Sequence, residues 1–256
     1  MKKSLINKEL FNYLMDEVNE KFEGWDFSFL ESTGRMQEFP LSWNYRNKVM
    51  IEIHEVSSLL DMGTGGGEFL STLDPLPKYT CATEGYKPNI LIAKNKLEPL
   101  GVKVYEVEND ECLPFDDETF ELIINKHESY SPKEVKRILK DEGIFVTQQV
   151  GGLNDKEINE FLGAPEFEFF DWNLERAVGQ LKAVDLKVLE QKEDLIKTRF
   201  YDIGAIVYYL KAIPWQVPDF TIERYFDKLV GIHNIIEKLG YIDFTCHRFF
   251  IISSKE

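Results

Sequence analysis

The 256-residue sequence has only three cysteines, Cys81, Cys112 and Cys246, far apart and without C-x-x-C spacing. An odd, scattered set of this kind excludes a disulfide framework and argues against a zinc site, so no metal is expected. No apolar run approaches the roughly 20 residues that a membrane helix needs. The opening MKKSLINKELFNYL has two lysines with no continuous apolar stretch after them, so a secretory leader is not expected either. These absences point to a reduced, cytoplasmic protein without a membrane partner. Positive charge is also scarce. Lys plus Arg number 30 against 45 Asp plus Glu, a formal net charge of −15 at pH 7. Such a surface repels the phosphate backbone, which disfavours nucleic acid as a partner. Internal repeats and low-complexity tracts are missing too.

What is present is ordinary for a globular chain able to bury a full core: 43% hydrophobic and 13% aromatic residues. Apolar residues recur at helical spacing through Leu10, Leu14, Val18 and Phe22, predicting an amphipathic helix over 5–22. Residues 23–45 have no clear period but carry Trp25, Phe27, Phe29, Trp43 and Tyr45, too many aromatics for a free linker. After a short helix near 48–55 the pattern becomes regular. Strands are predicted at SSLLDMG, YTCATEG, VKVYEVE, ELIINKH and GIFVTQQVG. Between them lie helices over 68–73 and 89–100 and over SPKEVKRILKDEG, the last ended by Gly143. Strands alternating with helices imply right-handed crossovers and a parallel sheet covered on both faces. Beyond Gly151 come two helices, NDKEINEFL and NLERAVGQLKAV, a strand LKVLEQKEDL, a largely helical stretch, and a closing strand FTCHRFFIISS. The plan is a cap segment over 1–54 and one α/β domain over 55–256, with a helical insertion or lid at 197–242.

The segment SSLLDMGTGGGE, residues 57–68, ends a strand at Asp61 and follows it with Gly63, Gly65 and Gly67. Ligands bind at the carboxyl edge of such a sheet. Glycines there tolerate positive φ and let a cofactor approach the main chain, and a following helix offers its N-terminal end. A dinucleotide turn wants G-x-G-x-x-G/A, but here the third position is Glu68, whose carboxylate would repel a pyrophosphate and would not disfavour a cationic cofactor. The next strand ends at Glu84-Gly85, where an acid can accept hydrogen bonds from both ribose hydroxyls. The stretch NDECLPFDDETFELIIN follows at 109–125.

These pieces resemble the motifs of class I S-adenosylmethionine-dependent methyltransferases: E/D-x-G-x-G-x-G at the turn, and D-A-E-x-L-P-F-x-D-x-S-F-D at 109–121. The resemblance covers about residues 55–151. The C-terminal part also looks like uncharacterised bacterial members. It implies a Rossmann-like class I fold with a seven-stranded, mostly parallel sheet, and S-adenosylmethionine as cofactor, held by Asp61, Gly63, Gly65, Gly67, Glu84, Gly85, Glu111 and Asn125. Asn109 stands where the family has Asp; either it serves as the polar partner or Asp110 has taken over.

Methyl transfer needs alignment, exclusion of water and, for hydroxyl or amine acceptors, deprotonation. The acceptor is expected over the strand ends, beside the loop NKHESY. There His127 is a candidate base, with Glu128 to orient it or to hold an acceptor amine; alternatively His127 caps the strand end or contacts the cofactor. Trp25, Tyr45, Tyr130, Tyr208 and Trp215 are candidate acceptor-lining residues, core packing being the competing role. Arg35, Arg46, Arg199 and Arg248 are candidates for holding an anionic acceptor. Asn-Lys-His-Glu lacks the prolines of the N/D-P-P-Y/F slot used for planar amino groups. The reading is therefore a small-molecule methyltransferase, monomeric or homodimeric, with an RNA or protein methyltransferase and a non-catalytic cofactor-binding regulator as alternatives. An oxidoreductase remains only if NAD binds instead.

Overall fold

The computed structural model describes residues 2–22 and 27–256. It opens with α1 (Lys2–Asn19), the short α2 (Ser28–Glu31), strand β1 (Met36–Glu38) and α3 (Tyr45–Ile53). The alternating core follows as β2 (Ser58–Met62), β3 (Tyr79–Glu84), α4 (Lys87–Leu97), β4 (Lys103–Glu106), β5 (Phe120–Lys126), α5 (Pro132–Ile138) and β6 (Leu139–Val150). The chain ends with α6 (Lys156–Leu162), α7 (Leu174–Lys182), β7 (Leu186–Phe200), α8 (Ile203–Ala212), α9 (Ile222–Leu239) and β8 (Ile242–Lys255).

The strands lie in one sheet in the order β1-β7-β8-β6-β5-β2-β3-β4. β2 pairs in parallel with β3 and β5, β3 with β4, and β5 with β6. β8 runs antiparallel to both β6 and β7. Adjacent residues of the central strands serve opposite faces. Leu59, Ile124, Val146 and Phe250 pack with α3 and α4, while Leu60, Ile123, Phe145 and Phe249 pack with α5 and α7. Strands buried on both faces need continuous apolar runs, which is why these segments show little polar alternation. Each large side chain buried this way contributes about 1.5–3 kcal/mol.

The expected fold class holds, but the sheet has eight strands, not seven. The additional strand is β1, from the aromatic segment that showed no period. Three residues are too few to display one, and β1 exists because its partner β7 offers an open edge, with Met36 against Phe200 and Glu38 against Thr198. The helix expected over 68–73 shrinks to a single 3-10 turn, Leu70–Thr72, because the prolines at 75 and 77 follow at once. α5 stops at Ile138 rather than at Gly143, since Leu139 is already extended and pairs with Phe120. β7 runs on to Phe200, so the helical stretch begins after it rather than at 197.

A third core joins the cap to the domain. Leu14 and Leu30 pack with Ile206, Val207 and Tyr208 of α8 and with Leu229 and Ile232 of α9. The unperiodic aromatics do pack over something: Phe29 lies 4.9 Å from Tyr208, Phe27 5.5 Å from Tyr209, and Trp43 5.2 Å from Phe250. Trp25 lies outside the described residues. Arg35 ties these elements together. It donates to Glu17 of α1 at 2.9 Å and to both oxygens of Asp202 at 2.7 and 2.9 Å, while Asp202 caps α8 by accepting the Ala205 N–H at 2.8 Å. Replacing Arg35 by Met leaves the Glu17 and Asp202 carboxylates without a counter-charge in a mostly buried place. The expected cost is about 2–3 kcal/mol, read as a lower urea midpoint at pH 7 with an unchanged slope.

Candidate active site

The strand order reverses between β2 and β5, so their carboxyl ends open a crevice of the kind that binds ligands in open α/β sheets. Met62 pairs with Asn125, which places the glycine turn directly beside the loop after β5. Gly63, Gly65 and Gly67 have φ of 67°, 62° and 80°, the left-handed region that glycine adopts at no steric cost. A Cβ on Gly63 would also run into Glu128, and one on Gly67 into Leu97. The turn is stitched to β3 by Thr64 N–H donating to Thr83 O at 2.9 Å and Gly63 N–H to Thr83 Oγ1 at 3.3 Å. Only a 3-10 turn follows the glycine turn, so no α-helix begins directly at it. Glu68 folds back beside Gly66 and pairs with Lys96 at 3.2 Å.

Carboxylates gather around the turn. Asp61 is 3% exposed and accepts the Thr64 hydroxyl at 2.7 Å; burial, with a contribution from the charge of Glu84, pushes its pKa up to about 7. Glu84 is buried, accepts the Tyr86 N–H at 2.7 Å with the Gly65 and Gly85 amides also turned toward it, and is raised by burial and by Glu128. Glu128 is raised by burial and then by Asp110, and Asp110 by burial, although it accepts the Ser129 hydroxyl. The side chain of Asn109 is occupied within its own turn, accepting the Glu111 N–H at 3.0 Å, and Glu111 itself is exposed. Of this pair it is Asp110 that reaches the loop NKHESY.

Four expectations need correction. Asn125 is fully buried, and its side chain is used up inside the protein: Oδ1 accepts from Thr147 at 2.9 Å and Gln149 at 2.6 Å, and Nδ2 donates to Ser129 O at 3.3 Å. It shapes the loop and does not face a cofactor. Tyr45 is buried, with its hydroxyl shared between Asn125 O at 3.0 Å and Val146 O at 3.1 Å, so it braces β5 and β6. Tyr208 is 2% exposed and donates to Lys21 O at 3.1 Å within the cap core. The ring of Tyr130 packs on Phe145 at 5.1 Å, against the core beneath the sheet. In each case an aromatic or amide side chain was taken by the interior, the commoner fate of such residues. Trp215 stays 48% exposed.

Lys126 and His127 follow at the end of β5, where Lys126 Nζ lies 5.2 Å from the centroid of the Phe69 ring and feels Asp61, Glu38 and Arg248. Both residues are exposed, with protein packed around part of each side chain. Partial desolvation, reinforced by Arg248, lowers both pKa values, that of His127 well below the ordinary imidazole value. His127 has φ 63° and donates its backbone N–H to Gln148 O at 2.7 Å. Its ring Nε2 lies 2.9 Å from Gln148 Nε2, and Gln148 Oε1 accepts the Trp43 indole N–H at 2.8 Å. Gln149 turns the other way, to Asn125 and Glu128 O, as strand alternation requires.

Of the four arginines singled out, Arg35 is held by Glu17 and Asp202, and Arg199 by Asp243 at 2.7 and 2.9 Å. Arg46 is exposed. Arg248 alone acts on Lys126 and His127. It is 6% exposed and donates to Asn154 and to Glu38, the latter at 2.9 Å. Beside it Asp155 is fully buried, accepts the Tyr209 hydroxyl at 2.9 Å, and is pushed up to about 7 by burial. Sequence reasoning missed Lys126, Glu38, Asp155 and Tyr209. Their only signal was polarity within otherwise apolar segments.

Residues 60–147 match the methyltransferase-domain family. An uncharacterised protein of Methanocaldococcus jannaschii is 29% identical over 179 residues, which span 67% of this chain and 66% of that one. A candidate methyltransferase of Bacillus halodurans C-125 superposes with a TM-score of 0.61 at 15% identity, covering 83% of this chain and 98% of that one. The YcgJ protein of Bacillus subtilis gives 0.56 at 17% identity, with coverages of 83% and 98%. At these identities the structural likenesses speak for the fold, which places the matched glycine turn and strand ends as in methyltransferases of class I. The match to the methyltransferase-domain family thus lies over residues 60–147, and the chain has the fold of these methyltransferase-like neighbours.

Proposed function

We propose that the protein transfers a methyl group from S-adenosylmethionine to a small-molecule acceptor. The observation that carries this is the group of carboxylates around a left-handed glycine turn that no α-helix follows directly, Asp61 and Glu84 buried and Glu128 and Asp110 half-buried. Such a place disfavours a phosphate, and it favours a ligand bearing an ammonium and a sulfonium. The residues fit that cofactor. The Gly63–Gly67 backbone allows close approach, the free carboxylate capacity of Glu84 suits a ribose diol, Asp61 and Glu128 suit the cationic end, and Asp110 with Asn109 suits the adenine end. When bound, the cofactor supplies an electrophilic methyl carbon on a sulfonium. The chain's own part is to hold the acceptor over the strand ends and keep water out, which converts a bimolecular encounter into an aligned one. The surface around Lys126 and His127 is the proposed acceptor side. A net charge of −15 makes a polymeric polyanion a poor acceptor.

Titration calorimetry with S-adenosylmethionine tests this directly, and absence of binding would sink it. A bound cation lowers the pKa of neighbouring carboxylates, and Asp61 titrates near 7. Binding at pH 7 should therefore release protons, seen as a dependence of the heat on the buffer's ionisation enthalpy. Asp61→Asn should remove most of that release and weaken binding about tenfold to a hundredfold, roughly 1.4–2.7 kcal/mol.

The same carboxyl predicts a pH dependence of stability without cofactor. In the unfolded chain Asp61 ionises near the usual ~3.9, and in the folded protein near 7. Between these values the unfolded state holds fewer protons, so stability falls as pH rises from about 4 to 7 and then levels off. Asp61→Asn should raise the thermal midpoint relative to the parent protein at pH 8 and raise it less, or not at all, at pH 4.5.

A further inference from the structure

The two hydrogen bonds that link Trp43, Gln148 and His127 decide which ring nitrogen of His127 carries the proton. An indole N–H can only donate, and the Trp43 indole, 8% exposed, donates to Gln148 Oε1 at 2.8 Å. A carboxamide with its oxygen on one partner must present its NH2 group to the other. Gln148 Nε2 therefore faces His127 Nε2 at 2.9 Å as a donor. The reverse amide orientation would set N–H against the indole N–H, and an Nε2-protonated ring or an imidazolium would set N–H against the amide N–H. Both leave a buried donor unpaired, at a cost of about 1–3 kcal/mol. Gln148 is itself 4% exposed and held in β6 between β5 and β8, so it cannot swing away. The His127 backbone is pinned as well, by its N–H to Gln148 O at 2.7 Å.

The opposite ring edge is free. Among the described residues nothing bonds His127 Nδ1, and the side chain is open to the cleft. The charges nearest to it, Lys126 on β5 and Arg248 on β8, are both cationic. Glu38 on β1 is already bonded to Arg248.

We infer that Trp43, acting through Gln148, holds His127 as the Nδ1–H tautomer, and that this N–H donates a hydrogen bond to a carboxylate, carbonyl or phenolate oxygen of the methyl acceptor, with His127 taking no proton from it. The tautomer stands on the hydrogen bonds alone; the acceptor's chemistry rests on the methyltransferase reading above. The role of base expected for His127 is thereby replaced by that of a fixed donor, Trp43 and Gln148 are positioning residues, and the acceptor class narrows to molecules bearing an oxygen anion or carbonyl. A proton shed by the acceptor leaves to water.

Long-range proton–nitrogen NMR on protein labelled with 15N-histidine reads the tautomer without any acceptor. The parent protein should show His127 with a protonated Nδ1 and a bare Nε2 at pH 7. Gln148→Glu supplies a carboxylate that accepts from both neighbours, so it should move the His127 proton to Nε2. Trp43→Phe should give a mixture of tautomers. A bare Nδ1 in the parent, or a pattern unmoved by Gln148→Glu in a folded variant, would overturn the relay. For the acceptor class, benzoate added with S-adenosylhomocysteine should shift the His127 Nδ1–H signal, whereas benzylamine should not. His127→Asn, whose amide nitrogen stands near the Nδ1 position, should keep benzoate affinity within about threefold, and His127→Leu should lose about tenfold, the worth of one such hydrogen bond. Equal responses to benzoate and benzylamine, or equal affinities in the two variants, would overturn the acceptor class. Failure of S-adenosylhomocysteine itself to bind by calorimetry would instead strike the methyltransferase reading and leave the tautomer result standing.

Discussion

The parallel pairing of β2 with β5 is the constraint on which the site depends. It sits where the strand order reverses, and its last pair, Met62 with Asn125, sets two loops side by side. One is the glycine turn and the other is NKHESY. Their closeness is such that Gly63 has no room for a side chain beneath Glu128. Asn125 then holds the second loop from below, with its carboxamide bonded to Thr147, Gln149 and Ser129. A residue at a strand end invites a functional role, but here its three side-chain hydrogen bonds are spent on geometry. Positioning groups of this kind matter because small displacements of reacting atoms weaken alignment strongly.

Charge is sorted across the crevice rather than averaged over it. Asp61, Glu84, Glu128 and Asp110 surround the glycine turn, and burial raises every one of them. Lys126 and Arg248 lie beyond His127, in a chain that is strongly acidic overall. A net charge governs long-range steering, whereas a cleft with low-dielectric walls is governed by its few nearest groups. Burial thus disfavours the charged form of each carboxyl where no cation lies beside it.

The cap is joined to this arrangement by different physics. Its contact with α8 and α9 is a hydrophobic core of its own, and Arg35 links α1, the approach to β1 and the N-cap of α8 through Glu17 and Asp202. From this segment come β1, which carries Glu38 to Arg248, and Trp43, which orients Gln148. The appended segment therefore helps to build the surroundings of His127, although the family match begins only at residue 60.

The sequence by itself determined the class of fold and the place of its glycine turn. Seven strands, their alternation with helices, the glycine turn and Glu84 are local features, written in periodicity, in residues that tolerate positive φ, and in short motifs. It did not show β1, whose three residues are ordered only by the edge of β7, nor the shortening of the helix after the glycine turn, where prolines outweighed an otherwise helical stretch. The tertiary structure alone decided which polar side chains are spent on packing and which face the cleft. Asn125, Tyr45 and Tyr208 went to the interior, while Lys126, Arg248 and Trp43 came to the surroundings of His127 from β5, β8 and the cap. The reason is physical: a hydrogen bond's partner, and hence a side chain's role or a histidine's tautomer, is set by groups up to two hundred residues away that no local pattern encodes.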